Sequence, residues 1–136
     1  MCGSMRIMKI VHVIESLPGG GAERVAVELA RAQREAGNEV AIASIRRPDA
    51  EDPVLERLLA ELGIGLFRLG KTPKKMSFKA LLSLIKIIKG FDAGIVHTHG
   101  PSPDIYGCLA AIMARRPFVR TFHAIGSKYR REVILL

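Results

Sequence analysis

Cysteine is scarce, acidic residues are outnumbered, and long apolar runs are missing. The 136 residues include only two cysteines, Cys2 and Cys108. Two thiols at that spacing form neither a disulfide framework nor a metal-ligand pattern. Cys108 falls on the apolar face of an expected helix and reads as a buried, inert thiol. Such cysteine usage suits a reducing compartment. No apolar run is long enough to cross a bilayer. Lys9, His12 and Glu15 interrupt the first apolar stretch, and no small-residue cleavage site follows it. Residues 1–20 therefore do not read as a secretory signal, and the cytoplasm is the expected location. Aromatic residues make up 5% of the chain and the basic residues are scattered, so no base-stacking platform emerges and no nucleic-acid partner is expected.

Hydrophobic residues make up 49% of the chain, enough for one domain with its own core. Lys and Arg number 21 against 13 for Asp and Glu, a net charge of +8, which favours an anionic partner. Met1-Cys2-Gly3-Ser4 reads as a cloning remnant ahead of a second start at Met5, leaving 5–136 as the domain.

Strand and helix patterns then alternate along the chain. Strands are expected over Arg6–Ile14, Glu39–Ile45, Ile64–Leu69, Gly94–Thr98 and Phe118–Phe122. The first helix is expected over Ala22–Ala36, with Val25, Leu29, Ala32 and Ala36 on its apolar face and Gly37 as its stop. Its charged stripe, Arg24, Glu28, Arg31 and Glu35, alternates in sign as a solvated face does. Asp52-Pro53 reads as a cap followed by proline at the first helical position, opening a helix that Gly63 ends. Ser77 is the expected cap of a third helix, Phe78–Lys89, with Gly90 as its stop. Ser102-Pro103 repeats the cap-then-proline signal for a fourth helix running to about Arg115.

Five strands alternating with four helices specify an α/β fold, a doubly wound parallel sheet of Rossmann-like type. The strand order 3-2-1-4-5 is expected, with ligands bound where the chain reverses between strands 1 and 4. Three loops meet at that mouth: Glu15, Ser16 and the glycine turn; His99, Gly100, Pro101 and Ser102; and His123-Ala124-Ile125-Gly126. Residues Lys128–Leu136 read as the start of a further helix, so the domain looks truncated at its C-terminal end.

The run Ile14-Glu15-Ser16-Leu17-Pro18-Gly19-Gly20-Gly21-Ala22-Glu23-Arg24 carries the most chemistry. A strand ends, three glycines bare the backbone, and a helix begins, which brings N–H groups close to an anionic ligand such as a phosphate. A nicotinamide-binding reading is weak. Arg24 stands where the third glycine of that fingerprint belongs, and strand 2 ends in Ile45-Arg46-Arg47 without a ribose-binding acid. His97 and His99 are read as pointing to opposite sides of strand 4, His97 into the core and His99 into the crevice. The third expected helix carries Phe78, Leu81, Leu82, Ile85 and Ile88 on one face and Lys79, Ser83 and Lys86 on the other. Phe78–Lys89 could thus lie on an anionic membrane surface.

Three segments together resemble one family. Pro18–Arg24 followed by Ala36-Gly37-Asn38-Glu39-Val40 is similar to the P-G-G-(x)-A-E-R and A-x-x-G-(H/N)-x-V patterns of retaining GT-B glycosyltransferases of family 4, the "group 1" type. Ile95-Val96-His97-Thr98-His99-Gly100 resembles their V-V-H-x-H segment. Val119-Arg120-Thr121-Phe122-His123-Ala124 resembles their T-x-H-G segment, with Ala124 in place of the usual glycine. The resemblance covers Met5–Ile125 in order and spacing.

It implies the N-terminal, acceptor-side half of a two-domain GT-B enzyme that moves a sugar from a nucleotide-diphosphate sugar to a polysaccharide, lipid-linked or small-molecule acceptor. His123 is the implied catalytic residue. Gly19, Gly20, Gly21, Glu23, His99 and Ser102 are the implied donor-diphosphate and acceptor contacts. No cofactor and no metal are expected. A C-terminal GT-B domain is needed for activity, and the chain alone is expected to be inactive. The alternative is a non-catalytic nucleotide- or phosphosugar-binding module of the same fold.

Overall fold

The computed structural model describes residues 6–17, 20–46, 52–71 and 77–122. The segment 1–4, Gly19, His123 with its loop, and the segment 128–136 lie outside the described residues.

The elements are β1 (Lys9–Ile14), α1 (Gly21–Glu35), β2 (Glu39–Arg46), α2 (Pro53–Glu61), β3 (Gly65–Lys71), α3 (Phe78–Phe91), β4 (Ile95–His99), α4 (Pro101–Ala114) and β5 (Phe118–Thr121). All neighbouring strands pair parallel, in the order β3-β2-β1-β4-β5. This is the expected order, and it sets the C-terminal ends of β1 and β4 side by side.

The two faces of the sheet carry separate cores. Val11, Val13, Ala43, Ile45 and Val96 pack beneath Leu84 and Ile88 of α3 and Ala110 and Ala111 of α4. Ile14, Val40 and Ile42 pack beneath Ala26, Val27 and Ala30 of α1 and Leu59 of α2. Because both faces are covered, β1 and β2 are buried residue after residue rather than on alternate positions, with His12 and Ser44 the buried polar members of otherwise apolar runs.

Local chemistry explains most boundaries. The Asp52 carboxylate accepts from Leu55 N at 3.1 Å and the Ser77 hydroxyl accepts from Ala80 N at 3.1 Å, so both expected N-caps form. Gly37 and Gly63 take left-handed φ of 96° and 72° and end α1 and α2.

Several local expectations fail. Gly90 lies inside α3, whose left-handed cap is Asp92 at φ 54°. An aspartate tolerates that conformation, and its carboxylate is held by Arg116 at 2.9 Å. Ser102 does not cap α4. Gly100, at φ 105°, is the cap, and Pro101 takes the first helical position, two residues earlier than expected. The apolar face of α1 is turned from the expected one: Val25, Ala32 and Ala36 are exposed, while Ala26, Val27 and Ala30 are buried. Small residues there let the helix lie close to the sheet, and polar Gln33 and Arg34 extend the same face. Arg34 Nε donates to Leu62 O at 3.0 Å. Finally, Phe78 and Leu82 point outward, 82% and 55% exposed, beside Lys79 and Lys86 instead of opposite them.

Gly107 fixes how near α4 approaches β4. A Cβ there would overlap the Thr98 Cγ2 methyl. Thr98 itself is fully buried, and its hydroxyl donates to Asp104 Oδ1 at 2.6 Å. Cys108, expected buried, is half-buried; burial nonetheless pushes its thiol pKa up, with the Asp104 carboxylate adding to the effect.

Candidate functional site

At the C-terminal edge of the sheet, the first turn of α1 opens onto a cavity of about 560 Å³. Gly20, Gly21, Glu23 and Arg24 line one side of it; Asp52 and Leu55, from the start of α2, line another. Gly20 is the N-cap of α1 and supplies no side chain, and the first helical bond runs from Arg24 N to Gly20 O at 3.2 Å. The amides at the start of α1 therefore have no acceptor within the helix. Gly20 and Gly21 do not have left-handed φ. Among the described residues, a Cβ on Gly21 would meet nothing within 4 Å, and one on Gly20 only the Glu23 carboxylate at 3.7 Å. Backbone geometry and packing among the described residues thus do not require glycine at either position.

The strand ends beside this turn are tied together. Arg46 Nε lies 2.5 Å from Glu15 Oε1, and Arg46 N donates to Glu15 O at 2.7 Å. Arg46 is thereby engaged by the carboxylate at the end of β1.

His97 and His99 lie on the same side of β4, not on opposite sides. Residues two apart in a strand share a face. Their rings stack at 4.2 Å between centroids, 21° apart. That face is the one beneath α1, and parallel pairing sets His12 of β1 directly against His97. His99 is 1% exposed, so it is packed beneath the mouth and does not line it. Ser102 is half-buried in the first turn of α4. Of the expected contacts, Gly20, Gly21 and Glu23 come together around the cavity. His99 and Ser102 belong to the adjoining end of β4, and Gly19 and His123 fall outside the described residues.

Sequence reading missed His12. It is fully buried. Its Nε2 lies 2.7 Å from Gln33 Oε1, and its Nδ1 lies 2.9 Å from His99 Nε2. Burial lowers its pKa to about 4; Gln33 opposes the shift and His97 adds to it. The ring is therefore neutral near pH 7. With its proton on Nε2, donated to Gln33, its Nδ1 must accept, and His99 must donate from Nε2. His97 Nε2 pairs with Thr121 Oγ1 at 2.5 Å. Gln33 was the available signal: a polar residue continuing the buried Ala26-Ala30 face of a helix calls for a buried polar partner.

Known structures share this architecture. HepE of Anabaena, solved with UDP and glucose, aligns at TM-score 0.65 and 20% identity over 90% of this chain and 32% of its own. A glycosyltransferase of Rickettsia africae aligns at 0.63 and 24% over 94% of this chain and 34% of its own. MurG of Acinetobacter baumannii aligns at 0.66 and 17% over 93% of this chain and 39% of its own. The chain thus spans about a third of the length of these structures. No curated protein matches it by sequence. Among the described residues, no helix is long and apolar enough to cross a membrane. The profile described as Glycosyltransferase Family 4 matches residues 19–135, nearly all of the sequence, and the chain belongs to that family.

Proposed function

We propose that this domain is the acceptor-side half of a retaining glycosyltransferase that takes a sugar from a nucleotide-diphosphate sugar. The acceptor is a polysaccharide, lipid-linked or small-molecule sugar carrier. A second GT-B domain supplies the nucleotide-sugar surface, and the 136-residue chain alone does not turn over. No metal or cofactor takes part in the transfer.

One observation carries this reading in a family 4 chain: bare glycines flank an uncapped helix start on the wall of a cavity of about 560 Å³. Glycine is not required there by φ or by packing, so a ligand lying against the backbone gives it a purpose. The α1 amides donate to the diphosphate oxygens, where negative charge grows as the glycosidic bond breaks. Glu23 accepts from a sugar hydroxyl in the same cavity. His123 stands beside the transferring sugar as a hydrogen-bond donor to developing charge. Ser102 contacts the acceptor from the β4 side, and His99 supports that loop from below.

We further place the protein in the cytoplasm, docked on anionic membrane through Phe78–Lys89. Phe78 and Leu82 are exposed beside Lys79, Lys86 and Lys89. On α4, which packs against α3, Ile105, Leu109, Ile112 and Met113 are also exposed. Apolar groups ringed by lysines suit the interface of an acidic bilayer.

The test is a transfer assay on the two-domain enzyme. His123→Ala should leave thermal stability within about 1 kcal/mol and reduce turnover by about a hundredfold or more. Near-native turnover would remove His123 from the catalytic step.

A further inference from the structure

Beneath the mouth of the sheet, His12, His97 and His99 place one ring nitrogen each within 4.8 Å of one another. We propose that these three histidines form a binding site for a divalent transition cation, Zn2+ foremost. The assignment is independent of the transferase reading, because it concerns binding and calls on no reaction.

The cluster holds a close pair with a third ligand near it. Zinc binds imidazole nitrogen at about 2.0–2.1 Å in tetrahedral geometry, so two of its nitrogens sit about 3.3–3.4 Å apart. His12 Nδ1 and His99 Nε2, hydrogen-bonded at 2.9 Å, open by about half an ångström to admit the ion. Both rings are buried, so little side-chain freedom remains to be lost on binding. Gln33 already fixes His12 with its proton on Nε2 and its lone pair on Nδ1, as the hydrogen-bond partner of a metal-bound histidine does. To bind through Nε2, His99 moves its proton to Nδ1; both rings stay neutral and no net proton is released.

His97 is the ligand that must move. Stacked rings aim their in-plane lone pairs side by side, so a cation cannot meet both without a rotation of one. His97 is only half-buried, and its Nε2 gives up Thr121 Oγ1 in exchange for the ion. Its exposed edge is also the entry path. Three neutral imidazoles form a donor set suited to zinc, and nitrogen ligands favour the late first-row divalent ions generally.

The experiment is a titration of the chelator-stripped chain with ZnCl2 against a competing chromophoric chelator. A background carrying Cys2→Ser, Cys108→Ala and His123→Ala removes the other soft ligands. One equivalent should bind in both the wild type and that background. His97→Ala, which leaves the His12–Gln33 and His12–His99 contacts in place, should weaken binding at least tenfold. Cu2+ in place of Zn2+ should show nitrogen hyperfine coupling that falls from three nitrogens to two in His97→Ala. The proposal is overturned if no stoichiometric binding occurs, if binding vanishes in the cysteine- and His123-free background, or if His97→Ala binds as tightly as wild type.

Discussion

Acidification should destabilise this domain through one buried ring. His12 is fully buried, and its pKa falls from 6.5 to about 4 on folding. Between those two values the unfolded chain binds a proton that the folded chain refuses. Stability is therefore complete above pH 6.5 and is lost as pH falls toward 4. At about 1.4 kcal/mol per pH unit, the interval corresponds to about 3 kcal/mol in full, and to about 2 kcal/mol by pH 5.

The comparison is wild type against His12→Gln, unfolded by urea at pH 7, 6 and 5 in the presence of EDTA. His12→Gln should be the less stable at pH 7, since His99 loses its acceptor. The gap should close by about 2 kcal/mol at pH 5 as the wild type loses its advantage. A gap that stays constant, or widens on acidification, would mean that His12 is charged in the folded state. The Gln33–His12–His99 chain of bonds would then be wrong.

Other perturbations separate packing from ligand contact. Gly107→Ala drives a methyl into Thr98 across the α4–β4 contact and should cost about 1–3 kcal/mol by chemical denaturation. Gly21→Ala enters open space at the first turn of α1 and should hold or raise stability by about 0.5 kcal/mol, measured as melting temperature. A bulkier Gly21→Val should still fold but bind nucleoside diphosphate at least tenfold more weakly. Equal binding would deny that the ligand lies against this backbone. Flotation with phosphatidylglycerol vesicles should carry the wild type upward at low salt, and Phe78→Ser with Leu82→Ser should abolish it. Wild-type failure to float at low salt would dismiss the membrane surface.

The fold was legible because its signals are local. Apolar runs, the Asp52 and Ser77 caps, and the left-handed Gly37 and Gly63 fix where elements begin and end, and parallel crossovers leave few strand orders. Where two residues compete for one local role, the sequence pattern misleads. Pro101 and Pro103 both suit a first turn, and Gly100 decides between them. Gly90 and Asp92 both suit a helix stop, and the Arg116 partner of Asp92 lies 24 residues away.

The histidine cluster was hidden for a different reason. Its members come from two strands whose register no local pattern reports, and pairing His12 with His97 takes the assembled sheet. The same-face placement of His97 and His99 was readable from the period of a strand. Around the mouth, the glycine turn announced itself, but the part of the cavity contributed by Asp52 and Leu55 depends on how α2 packs beside α1.

The most direct test of the central claim is an amide chemical-shift titration of the 15N-labelled two-domain enzyme with UDP. The largest shifts should fall on Gly20, Gly21, Ala22 and Glu23, and Gly21→Val should suppress them. Shifts centred on another edge of the sheet, or none at millimolar UDP, would contradict a diphosphate resting on the start of α1.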